Sequence, residues 1–237
     1  MRRTAAIAIA LVTASGPAGC GGSDEPGYRA PHMPSADHFV DHVDHPYYPL
    51  PVGATWVYRG TSSDGAEQVT VSVLPDTRVV DGVRATVVHD QSTLNGKLSE
   101  DTYDWFAQDD RGNVWYLGEA TTAYDTDGST STEGSWEAGV HGASAGIVMP
   151  AKPRVGDRYQ QEQQTGVAED RGEILSLTAS GKVPWGSFSD AVRTRDTTPL
   201  EPDDVEHKYY VKGVGDVLED EGDEHLELVS FTPGSPS

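Results

Sequence analysis

Half of the chain's eight histidines fall between residues 31 and 46, where His32, His38, His42 and His45 alternate with Asp37, Asp41 and Asp44. Imidazole nitrogen and carboxylate oxygen are ligands for Zn²⁺ and Cu²⁺. Ser35 is a helix-capping residue type. A helix over residues 36–44 would bring His38, His42 and His45 to one side through spacings of four and seven, with Asp41 as a further donor. Pro46 biases His45 away from helical angles, which leaves the third ligand the least fixed. Phe39 and Val43 form an apolar pair on a neighbouring face, and docking that pair on a core is a sufficient reason for the helix. Two readings follow: a zinc or copper site made of His38, His42, His45 and Asp41, or a short polar helix with solvated side chains.

Other chemistry-bearing groups are sparser. Asp125-Thr126-Asp127-Gly128-Ser129 and the acidic run at 219–224 offer oxygen donors to Ca²⁺, without the twelve-residue ligand spacing of an EF-hand. Gly142-Ala143-Ser144-Ala145-Gly146 matches the nucleophile-elbow pattern, but Pro150 and Pro153 follow where the elbow needs a helix. The pairs Glu100/Asp101 and Asp203/Asp204 are sequence neighbours and do not resemble two carboxyls held across a cleft. His207 alternates with Tyr209 and Val211 and reads as a hydrogen-bonded core histidine. No catalytic residue is assigned. An enzyme would need a deep cavity with convergent polar groups and shifted acid or base pKa values.

Cys20 is the single cysteine. Arg2 and Arg3, a small and apolar run over residues 5–14, and Gly16-Pro17-Ala18-Gly19 precede it in the layout of a secretory signal, residues 1–19. Its thiol stands where a bacterial lipoprotein carries its lipid. Each buried acyl CH₂ contributes about 0.8 kcal/mol, so two or three chains hold a protein on a membrane where one does not. Residues 20–34, rich in Gly, Pro and Ser, read as a lipid-attached flexible spacer. Residues 35–237 are long enough for one domain. No internal disulfide is possible after export. The formal net charge is −21, which argues against nucleic acid and against anionic head groups as partners.

The elements behind these residues repeat with period two. In Gln68-Val69-Thr70-Val71-Ser72-Val73 the valines share one face, and Val83, Ala85 and Val87 repeat the pattern. Further strands are expected around 103–108, 114–118, 173–179, 191–194, 207–211, 216–219 and 226–231. Asp64-Gly65, Asp81-Gly82, Asn95-Gly96, residues 110–113, Lys212-Gly213 and residues 221–223 supply tight turns between them. Connections this short permit antiparallel neighbours only. The fold class is therefore all-β, a strongly curved antiparallel meander sheet, half-barrel or barrel of about nine to eleven strands, with one short N-terminal helix. Inward-facing aromatics, for which Trp105, Tyr103, Trp115 and Tyr209 are the candidates, fill a core or line a pocket with the same pattern.

Asp44-His45-Pro46-Tyr47-Tyr48-Pro49-Leu50-Pro51, Gly53-Ala54-Thr55-Trp56-Val57-Tyr58, Asp104-Trp105-Phe106-Ala107-Gln108-Asp109, Gly112-Asn113-Val114-Trp115-Tyr116 and Glu206-His207-Lys208-Tyr209-Tyr210 with Gly213-Val214-Gly215 occur together. In these blocks the chain resembles a widespread family of uncharacterised secreted bacterial proteins, which implies export and no particular reaction. That family more often has Asn where this chain has His45. The leading expectation is a non-enzymatic protein of the bacterial cell envelope, membrane-anchored through lipidated Cys20, whose curved sheet binds a small molecule or a protein partner. Its alternative is an envelope metal-binding protein using residues 32–45. An enzyme of another class is the third.

Overall fold

The computed structural model describes residues 27–28, 30–62, 64–221 and 224–235. The secretory signal and Cys20 lie outside the described residues.

The chain enters through a single 3-10 turn, Ala36–His38, and three two-residue strands, β1 (Phe39–Val40), β2 (Asp44–His45) and β3 (Tyr48–Pro49). Five long strands follow in a meander: β4 (Thr55–Ser62), β5 (Gly65–Val80), β6 (Val83–Leu94), β7 (Lys97–Asp109) and β8 (Val114–Tyr124). Short pieces come next, β9 (Thr130–Ser131), β10 (Trp136–Glu137), β11 (Ser144–Met149), β12 (Arg158–Gln160) and β13 (Glu162–Gln163). A second meander ends the chain, β14 (Arg171–Val183), β15 (Gly186–Thr198), β16 (Glu201–Val211), β17 (Gly215–Glu221) and β18 (Glu224–Thr232).

β18 pairs with β4, so the two meanders join into one antiparallel sheet of order β12-β14-β15-β16-β17-β18-β4-β5-β6-β7-β8-β11-β13. The two ends of that path, β12 and β13, flank a single residue, Gln161. The Gln161 N–H donates to Asp170 O at 2.8 Å. One stretch of chain thus holds both edges of the sheet and nearly closes it into a barrel, which removes the unpaired edges an open sheet would leave. Gly146 makes that seam narrow enough, since a Cβ there would lie 2.3 Å from the Gln161 carbonyl group. The fold is all-β, as the alternation predicts, with more strands than the nine to eleven expected.

The turn residues act as their types dictate. Asp81 and Gly82 at φ 46° and 80°, and Asn95 and Gly96 at 52° and 77°, turn β5 into β6 and β6 into β7 with the two consecutive positive φ angles of a type I′ hairpin.

Three expectations are corrected. Residues 36–44 do not form a helix beyond the 3-10 turn, because Phe39 and Val40 extend and pair with Asp109 and Gln108 of β7, with Phe39 edge-on to Trp115. The aromatics proposed as inward-facing occupy the outer parity. Asp104 and Phe106, Tyr116, and Lys208 and Tyr210 line the interior, so Trp105, Trp115 and Tyr209 point away from it. Trp105 is covered by the Arg78 guanidinium 4.0 Å from its ring, and Tyr103 lies outside against His89. His207 shares the outer face and is half-buried, not a core residue.

Among the described residues no helix is long and apolar enough to cross a membrane. Outward positions such as Arg59, Gln68, Gln91 and Arg195 interrupt the continuous apolar belt that a membrane-spanning barrel presents to lipid.

Candidate functional site

The barrel encloses a cavity of about 160 Å³. Its floor is apolar and aromatic. Residues 43–50 fold across one end of the barrel, held by the Leu50 N–H on Val43 O and the Gly213 N–H on Pro46 O, both within 2.9 Å. This places Tyr48 between Phe106 and Tyr210, at centroid distances of 5.4 and 6.1 Å. Trp56 Nε1–H donates to Val214 O at 2.8 Å and the Tyr58 hydroxyl to Asp216 O at 3.0 Å, so both polar tips are satisfied while their rings face inward.

Above the floor the lining changes character. Nine carboxyl side chains and one ammonium, Lys208, line the cavity among the described residues. Strand register gathers the deepest of them. Asp196 of β15 stands opposite Glu206 of β16, and Lys208, two residues on, opposite Glu219 of β17. Lys208 Nζ lies 3.2 Å from Glu206 Oε2 and 3.6 Å from Glu219 Oε1. Lys208 and Glu206 keep 11% and 18% of their side-chain surface. The Gln161 amide donates to Asp196 Oδ2 at 3.1 Å. Asp204, exposed, stands at the opposite end from the floor and marks the mouth.

A second acidic group sits on the β7–β8 wall. The Tyr116 hydroxyl lies 2.5 Å from Asp104 Oδ1 and 3.2 Å from Glu119 Oε2, one hydroxyl hydrogen facing two carboxyls. Glu162, on the short strand β13 opposite Ala145 of β11, completes the ring. It has no exposed surface, and neither of its carboxyl oxygens has a hydrogen-bond partner among the described residues.

Enclosure determines the protonation of these groups. Burial raises Asp104 to about 7 although the Tyr116 hydrogen bond lowers it. Burial also raises Asp170 and Asp216 to about 7 and Glu219 to about 8, with Lys208 pulling each of them down. Glu162 is pushed well above the ordinary carboxyl range by burial and by Asp170, Glu119 and Asp104. For Lys208, burial favours the neutral amine, but Glu206, Glu219, Asp196 and Asp216 outweigh it and hold the ammonium. The site is thus an acidic chamber over an aromatic floor, with enclosed carboxyls that keep their protons to higher pH than exposed ones do.

The residues that the sequence singles out lie elsewhere. His38 Nδ1 is 2.7 Å from Asp110 Oδ2, which raises its pKa. His42 Nε2 is 3.4 Å from Asp44 Oδ2, and Asp41 faces Arg84 at 3.9 Å. His45 is buried, accepts the Tyr47 N–H at Nδ1, and has its pKa lowered by burial. The structure does not gather these four, and among the described residues no group of three or more His, Cys, Asp or Glu side chains is arranged to hold a metal ion. The loop at 125–129 satisfies itself, the Ser129 N–H donating to Asp127 and the Thr126 N–H to Asp125. Ser144 is exposed at the start of β11, with no helix after it. The cavity carboxyls carried one sequence signal: from Glu206 to Tyr210, alternation places Glu206, Lys208 and Tyr210 on one face.

No family model matches this chain, and no curated protein matches it. Among solved structures it is similar to the crystal structure of a putative lipoprotein from Parabacteroides distasonis ATCC 8503, at 12% identity and a TM-score of 0.43, over 78% of this chain and 98% of that one. A likeness of that degree assigns neither fold nor function.

Proposed function

We propose that this is a non-enzymatic protein of the bacterial cell envelope, tethered through lipidated Cys20, that binds a small molecule inside its barrel. The observation that carries the reading is the cavity of about 160 Å³, with an aromatic floor and a mouth edged by Asp204. A barrel whose only task is to be rigid fills its interior with apolar side chains. A concave, mostly apolar space with a few convergent polar groups is the usual form of a ligand site. The secretory layout before Cys20 and the polar outer wall suit a domain held at a membrane by acyl chains and not inserted in it.

Native mass spectrometry of protein extracted from its own membranes tests both halves. The expected result is a mature chain beginning at Cys20 with a diacylglyceryl or triacyl mass, carrying a dissociable small molecule in stoichiometric amount. An unmodified thiol at Cys20 removes the tether. A chain that never carries or takes up a small molecule removes the binding role.

One observation favours a second reading. Asp104, raised to about 7, and Glu119 share Tyr116 at the wall of an enclosed cavity, an arrangement suited to general acid–base work. A ligand recovered unchanged after incubation with the protein supports binding. Conversion that is lost in Asp104→Asn supports catalysis.

A further inference from the structure

The chemistry of the lining narrows what the cavity accepts. Anions are opposed by the nine carboxyls that line the cavity beside one ammonium among the described residues, and Lys208 is already engaged by Glu206 and Glu219. Glu162 adds an independent observation. Its side chain has no exposed surface and lines the cavity, and both oxygens lack a partner among the described residues. A buried polar group without a hydrogen bond is costly, and natural structures retain one where something else completes it. The missing complement of a carboxyl above an aromatic floor is a positively charged nitrogen.

We infer that the cavity binds an organic cation with an apolar body, a protonated amine whose N–H groups complete Glu162 and whose hydrocarbon or aromatic part rests on Tyr48, Trp56, Phe106 and Tyr210. The inference rests on the proposed binding role and gives it a substrate class. Size follows from volume, because at about 10–15 Å³ per water the space holds on the order of ten waters or ten non-hydrogen atoms. The aromatic rings present faces that attract a cation through their quadrupoles, worth about 2 kcal/mol when desolvated. A bare metal ion suits the lining poorly. Among the described residues no three His, Cys, Asp or Glu side chains are arranged to hold one.

The test uses the full mature chain in detergent and four organic probes of similar size, benzylammonium, hexylammonium, hexan-1-ol and hexanoate, together with CaCl₂ or ZnCl₂ alone. Isothermal titration is expected to give one site for each ammonium, with the alcohol and the carboxylate weaker by at least about tenfold. Glu162→Gln, nearly isosteric, is expected to weaken ammonium binding about tenfold without lowering the melting temperature. Asp204→Asn, at the exposed mouth, is expected to weaken it about two- to threefold and serves if the buried variant misfolds. Equal affinity for the alcohol, or preference for hexanoate, overturns the cation while leaving the binding role intact. Stoichiometric binding of the metal alone, lost in Glu162→Gln, overturns it in favour of an inorganic ion. Silence toward every probe and toward a lipid extract of the host overturns both.

Discussion

A carboxyl with no exposed surface and no hydrogen-bond partner lowers the stability of the chain that carries it. Glu162 is in that position, so removing its polarity should help the empty fold. Glu162→Leu is expected to raise stability by about 1 kcal/mol in urea titration while abolishing ligand binding, the trade-off typical of a functional site. A loss of stability would mean that Glu162 has an internal structural partner. Lys208 predicts the opposite sign. Lys208→Met leaves Glu206 and Glu219 facing each other without their cation, and breaking an enclosed pair in this way costs about 3–5 kcal/mol. The loss should grow as the pH rises above the value of about 8 at which Glu219 titrates beside Lys208, and be smaller at pH 5, where protons replace the ammonium, so pH 5 and pH 9 are compared. Urea midpoints at the two pH values check it, and equal losses would show that Lys208 acts through its packing alone.

At the scale of elements, the long strands were legible because their turns are written in residue types with one conformational use. Asp81-Gly82 and Asn95-Gly96 fix two hairpins, and the valines of β5 fix its inner face. The parity of β7, β8 and β16 was misread for a physical reason. Alternation identifies two faces but assigns the apolar one to the interior, whereas here Asp104, Glu206 and Lys208 face the cavity and Trp105, Trp115 and Tyr209 face away from it, the two tryptophans buried under other side chains. Spacings of four and seven fit a helix in the histidine segment, but the extended pairing of Phe39 and Val40 with β7 supplies non-local hydrogen bonds that no local spacing announces. The seam was illegible too, since β11, β12 and β13 span six residues or fewer each and owe their existence to closure. Gly146 tests that closure. Gly146→Ala sets a methyl group 2.3 Å from the Gln161 carbonyl, and overpacking of this kind costs about 1–3 kcal/mol. Gly186→Ala, with open space around its Cβ, is the control and should be near neutral. Thermal melting that fails to separate the two would show that the seam is slack.

For the molecule as a whole, the enclosed carboxyls give stability an unusual dependence on pH. Asp104, Asp170 and Asp216 titrate at about 7 in the folded chain and Glu219 at about 8, all raised by burial, whereas in the unfolded chain carboxyls titrate near 4. Between those values the folded state holds protons that the unfolded state has released, so unfolding releases them and stability falls as pH rises. Most proteins with paired carboxylates show the reverse over the acid part of that range. The melting temperature of the empty protein is therefore expected to decline from pH 5 to pH 8.5 by about 5 °C or more. Self-repulsion in a chain of net charge −21 has the same sign, so the interior groups must be isolated. The double variant Asp170→Asn with Asp216→Asn keeps neutral amides where the wild type holds protonated acids, and it should make the decline measurably shallower, Asp104 and Glu219 supplying the rest. An organic cation in the chamber acts from the other side. It favours the ionised carboxyls, displaces their protons, and raises the melting temperature more at pH 8.5 than at pH 5. A stabilisation by hexylammonium independent of pH would show that the carboxyls do not sense the ligand's charge, and a melting temperature that climbs toward pH 8.5 without ligand would show that they are ionised in the empty barrel.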